Sequence, residues 1–119
     1  MSQLLTERGN TLDALVTHSR HLHQIRKMDV NPGDRLYIKT CNSVYSIRIL
    51  ADGSCSVTGG WFDRKGLSPM KTRIAGCTWG GSAIKIDIVA ACGLCLEFSN
   101  RLVTTSVQRI FVLPAGSEN

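Results

Sequence analysis

The sequence predicts a mainly β protein: a small antiparallel β-barrel or two-layer sandwich of about seven strands, with one N-terminal amphipathic α-helix. Three observations lead there. Apolar residues recur with a helical period up to Met28 and alternate from Arg35 onward. Turn residues punctuate the second region at short intervals, at Cys41-Asn42-Ser43, Asp52-Gly53, Gly80-Gly81 and Ser99-Asn100-Arg101. Finally, 119 residues with 43% apolar and 19% charged side chains suffice for one core and one domain. The same figures exclude a disordered chain, a collagen-like fibre or a coiled coil as the main structure.

Residues 1–9 read as a flexible lead. Over 10–29, Leu12, Leu15, Leu22, Ile25 and Met28 form one helical face, with Asp13, Thr17, Arg20, Gln24 and Lys27 opposite. Asn10 or Thr11 can cap this helix, Asp13 suits its positive end, and Arg26 and Lys27 suit its last turn. Asn31-Pro32-Gly33-Asp34 then stops it.

The β domain spans 34–113, with strands expected over 35–40, 44–50, 54–58, 72–78, 82–89, 93–98 and 102–113. Asp52-Gly53 predicts a type I′ hairpin turn, which needs positive φ at both residues. Ile84, Ile86 and Ile88 should face the core, with Lys85 and Asp87 outward, and Leu94, Leu96 and Phe98 should also point inward. The segment 102–113 is too long to stay flat without a bend or bulge. Residues 114–119 read as a disordered tail.

No apolar run approaches the ~20 residues of a membrane helix, and the first residues lack a secretory pattern. Five cysteines without framework spacing fit reduced thiols, so a cytoplasmic location and no membrane partner are expected. Fourteen Lys and Arg against nine Asp and Glu give a net charge of +5, a bias toward nucleic acid or another polyanion.

The strand region resembles a group of small uncharacterised bacterial all-β proteins. The residues that carry the resemblance are Thr40-Cys41-Asn42-Ser43-Val44-Tyr45, Gly59-Gly60, Gly76-Cys77-Thr78-Trp79-Gly80-Gly81-Ser82 with Lys85, Gly93-Leu94-Cys95-Leu96, and Thr104-Thr105-Ser106. It implies a compact all-β domain with no assigned activity. That group carries arginine more often than cysteine at the position of Cys41, and cysteine is not a regular feature at Cys92 or Cys95. Cysteine chemistry is therefore not implied by the resemblance.

Cys92-Gly93-Leu94-Cys95 has the C-x-x-C spacing of redox motifs and of half a zinc site. It falls at a strand start, however, where residues three apart face opposite ways, and buried structural thiols are the plainer reading. His18 and His21 share a helix face while His23 projects away, so the histidines read as flanks of an apolar stripe. Gly-x-Ser-x-Gly is absent and the carboxylates stand singly, which points to a non-enzyme. The segment 76–82 with Lys85 lacks the Gly-Lys-Ser/Thr order of a phosphate loop and opens a strand, so no cofactor is expected.

The most suggestive surface is the loop 59–73, with two adjacent aromatics, four cations and one acid. Trp61 could stack on a base while Arg64, Lys65, Lys71 and Arg73 neutralise phosphates, and Lys39, Arg48 and Lys85 could extend the patch. The plainer alternative is a lid, with the aromatics tucked beneath the loop. The leading expectation is a cytoplasmic, non-enzymatic binding or adaptor module, self-associating or meeting a protein partner through helix 10–29. A nucleic-acid-binding barrel and a thiol or metal site at Cys92 and Cys95 are the alternatives.

Overall fold

The computed structural model describes residues 20–79 and 84–116. The lead 1–9, the first half of the expected helix with its caps, the Gly80-Gly81 turn and residues 117–119 lie outside them. The elements are β1 (Arg20–Leu22), β2 (Gln24–Arg26), a 3-10 turn (Lys27–Asp29), β3 (Arg35–Thr40), β4 (Val44–Ile49), β5 (Cys55–Gly59), α1 (Gly60–Arg64), β6 (Met70–Thr72), β7 (Ile74–Thr78), β8 (Ile84–Lys85), β9 (Ile88–Ala91), β10 (Cys95–Phe98) and β11 (Val103–Leu113). One sheet runs in the order β6-β5-β4-β3-β11-β10-β7-β8, with β1 also on β11, and β2 and β9 form a separate ribbon. Every pairing is antiparallel. The mainly β expectation holds. The barrel does not, because among the described residues the sheet path ends at β6 and β8 without joining them.

The expected helix fails over 20–29. Arg20–Leu22 pairs with Ile110–Val112 of β11, and Gln24–Arg26 pairs with β9. The physical reason is non-local: the exposed edges of β11 and β9 offer backbone donors and acceptors that must be satisfied, and a helix would leave them bare. Ile25 is buried opposite Ala90 and Leu22 is half-buried, so their apolar side chains serve this core rather than a stripe for a partner. The 3-10 turn that comes next is pinned by Lys27 N–H donating to the Asp87 carbonyl at 2.9 Å and by an exposed Arg26–Asp29 ion pair at 3.2 Å.

β11 is long because it serves several neighbours. β10 pairs along its first half, β1 along its last, and β3 on the other side of the 107–113 stretch, with register shifts near Val107 and Arg109. The bulge expected in this segment is present. The segment 72–78 is broken at Arg73 into β6 and β7, and the segment 82–89 is broken at Ile86 and Asp87 into β8 and β9. That second break resets the alternation. Ile84 and Ile86 are 41% and 66% exposed, against expectation, whereas all four residues of β9 are buried where it packs against β7, β10 and β11.

The turn from β4 to β5 is also not type I′. Gly53 N–H donates to the Leu50 carbonyl at 3.1 Å and Leu50 N–H to the Ser54 carbonyl at 2.9 Å, with positive φ at Gly53 alone. Asp52 avoids the left-handed region because its carboxylate accepts from the Ser54 N–H at 3.0 Å and from the Ser54 hydroxyl. One contact holds the start of the tail, at Ala115. Buried Asp34 accepts from Ala115 N–H at 3.0 Å with one oxygen and from Asn31 N–H at 2.9 Å with the other.

Leu36, Ile38, Ile47, Val57, Leu96 and Ile110 are fully buried, and Phe62 and Phe98 join them at the end of the sheet where α1 lies. Leu94 is half-buried beside them.

Candidate functional site

Loop 59–73 begins with a close approach. Gly59 pairs with Tyr45 at a φ of +101°, and a Cβ there would lie 2.2 Å from the Val44 carbonyl oxygen. Only glycine fits, and this lets α1 start directly against the sheet. Asp63 closes the loop, accepting from Gly59 N–H at 2.9 Å and from the Ser68 hydroxyl. Lys65 N–H donates to the Trp61 carbonyl at 3.0 Å and Leu67 N–H to the Phe62 carbonyl at 2.8 Å, which ends the helix.

The two adjacent aromatics separate in role because neighbours on a helix project about 100° apart. Phe62 is fully buried and stands edge-on to Phe98 at 5.3 Å and to Tyr45 at 6.1 Å between ring centroids. It is the lid. Trp61 is half-buried, packs edge-on to Phe62 at 5.3 Å, and lines a groove of about 190 Å³ with Arg64. The rest of the lining is Thr40 at the end of β3, Asn42 and Ser43 of the β3–β4 turn, Tyr45 of β4, and Leu102 to Thr105 at the entry to β11.

Some of these polar groups are committed to the backbone. The Thr40 hydroxyl lies 3.2 Å from both the Ser43 carbonyl and the Ser43 N–H, and the Thr104 hydroxyl donates to the Thr105 carbonyl at 2.7 Å while accepting from Leu96 N–H at 3.1 Å. They shape the walls. Asn42, Thr105 and Arg64 are exposed and free to meet a ligand in the groove.

The five residues that the sequence singles out are thus divided. Trp61 and Arg64 share the groove, and Lys65 is exposed just after them at the end of α1. Lys71, in the middle of β6 opposite Ser56, and Arg73, just after β6, lie toward the β4–β5 turn, roughly 10 Å of strand along β5 from Gly59. There Lys71 Nζ meets the Asp52 carboxylate at 3.0 Å, and Arg73 Nη2 donates to the Asp52 carbonyl at 3.4 Å. Hydrogen bonds from Ser54 and then the Lys71 ammonium hold the Asp52 carboxyl well below the usual carboxylate range. Of the outer cations, Arg48 and Lys85 are exposed, and Lys85 Nζ sits 5.3 Å from the Trp79 ring centroid.

Cys92 comes directly after β9, half-buried, with its thiol 3.4 Å from the Gln108 carbonyl and 3.9 Å from the Leu22 carbonyl. Burial pushes that thiol up, the opposite direction from an activated nucleophile. Cys95 is half-buried on β10, opposite Thr78 and Ser106. No group of three or more metal-ligating side chains occurs among the described residues. His18 lies outside them, and His21 and His23 stand on and beside β1, so no helix face relates them.

The groove walls other than Trp61 and Arg64 were not legible as a site. The signal that could have found them was the motif pattern itself, because Thr40, Asn42, Ser43 and Tyr45 of one motif and Thr104-Thr105 of another line this groove, with Gly59 paired to Tyr45 beside it. Comparison with family models, curated proteins and solved structures gives no match. No helix among the described residues is long and apolar enough to cross a membrane.

Proposed function

We propose that this protein is a non-enzymatic, cytoplasmic binding module whose recognition surface is the Trp61–Arg64 groove. One observation carries the reading: a half-buried indole and an exposed guanidinium from one turn of helix line, together with the exposed residues Asn42 and Thr105, a space of about 190 Å³. Such a space accommodates a single planar ring, with the guanidinium placed for an adjacent anionic group. A nucleotide unit has that chemistry, and single-stranded nucleic acid is the ligand to test first.

The experiment is a titration of Trp61 fluorescence in a Trp79→Phe background with oligothymidylate and oligouridylate at two salt concentrations. Saturable quenching that weakens with salt and disappears in Trp61→Ala supports the reading. Absence of quenching at millimolar nucleotide, or binding that survives Trp61→Ala unchanged, overturns it.

A further inference from the structure

The end of the sheet away from the Trp61 groove holds a second cavity, which shares no lining residue with that groove. The cleft encloses about 470 Å³, inside the roughly 300–1,000 Å³ range of small-molecule sites. Val30, Ile49, Leu50, Ile74 and Val89 contribute apolar wall, and the Cys55 thiol is buried within the lining. Burial pushes that thiol up to about 11, so it is neutral at physiological pH.

Two cations also line the cleft, and among the described residues no carboxylate does. Lys27 and Arg73 come from different elements, and the backbone of each is fixed. Lys27 N–H is bound to the Asp87 carbonyl, while Arg73 donates its N–H to the Ser99 hydroxyl at 3.3 Å and accepts from Ser99 N–H at 2.8 Å. Their side chains retain donors. Lys27 Nζ uses one bond, to the Ala75 carbonyl at 3.1 Å, and the Arg73 guanidinium one long bond, to the Asp52 carbonyl at 3.4 Å.

These features select a ligand class. A neutral apolar ligand would strip water from two cations and return no counter-charge, which is unfavourable. A small inorganic anion would leave the apolar wall wet. We propose that the cleft binds an amphipathic monoanion, its carboxylate held between Lys27 and Arg73 and its hydrocarbon body along Ile49, Leu50 and Val89.

The test is a heteronuclear NMR titration of the full chain with decanoate at low millimolar concentration, with decan-1-ol as the uncharged control. Decanoate should give saturable shifts in residues 27–32, 49–55 and 73–75 while residues 40–43 and 61–64 stay in place. Lys27→Gln and Arg73→Gln should each weaken it about fivefold, as the loss of one charge-assisted hydrogen bond does, and the double variant more. Spectra of the unliganded variants establish that they remain folded. Shifts confined to the groove, equal binding of decan-1-ol, or unchanged affinity in the folded double variant would each overturn the assignment.

Discussion

The two ends of the β3–β4–β5 region are held by different physics. Where α1 meets the β3–β4 turn, Phe62 stands edge-on to Tyr45 and Phe98, whose rings are tilted at 51° to each other, and packing does the holding. Where β4 turns into β5, carboxylates do it: Asp34 ties Asn31 and Ala115, and Asp52 ties Ser54 and Lys71. The packed end leaves an indole and a guanidinium at the surface. The carboxylate end joins its polar groups to one another and leaves an apolar cleft beneath two cations. Four cations that are close in sequence therefore do not make one patch, because β6 carries the last two to the other end.

The strongest way to break this contrast is at the packed end. Phe62→Ala should cost about 3–5 kcal/mol in urea denaturation, because a fully buried ring leaves a cavity among two others. Trp61→Ala should cost clearly less, and equal costs would show that both rings serve as lid. At the carboxylate end, Asp34→Ala should cost about 2–3 kcal/mol, since two backbone N–H donors lose a buried charged acceptor. Its effect should exceed that of Asp52→Ala, whose site is exposed.

Binding sharpens the contrast further. If Arg64 and Lys65 alone meet phosphates, the logarithm of affinity for a single strand should fall with the logarithm of salt at a slope of about −1.4. Participation by Lys71 and Arg73 as well would double that slope. Arg64→Gln should weaken nucleic-acid binding by about tenfold, while Lys71→Gln should leave it nearly unchanged.

The smallest effects are those of pH. Burial raises Cys55 and Cys77 to about 11 from 9.0. The folded chain then holds these protons more tightly than the unfolded chain does. That contribution to stability is complete below about 9 and is lost as pH rises toward 11. Asp52 runs the other way, its contribution present above the ordinary carboxylate range and lost only as pH falls well below it. Urea midpoints across both windows, compared with the Cys55→Ala/Cys77→Ala and Asp52→Ala variants, check the two signs. In the native state Cys41, which is exposed, should react with a thiol reagent before either buried cysteine.

Much of the sheet was legible because strand alternation is local. The observed β3 coincides with the expected 35–40, β4 and β10 fall within one or two residues of expectation, and the bulge in β11 follows from its length. Leu22 and Ile25 misled because their spacing of three suits a helix face equally well as two short strands joined at His23. Ile86 misled because alternation persists in the sequence where the ladder stops, and Ile84 because β8 is a two-residue strand at the end of the sheet path, exposed at both residues. At the site, Trp61 and Arg64 were recognisable by type, whereas Thr40, Asn42, Thr104 and Thr105 are ordinary strand and turn residues until the fold gathers them.

By itself, then, the sequence determined the β class, the central strands and the cluster of aromatics and cations after Gly59, all of which depend on near neighbours along the chain. The tertiary structure alone decided that residues 20–26 are strands, that the cations divide between two ends, and that a groove and a cleft lie there. The reason is that an unpaired strand edge must be satisfied by whatever segment the fold brings to it, and that partner is set by three-dimensional proximity rather than by the local pattern of side chains.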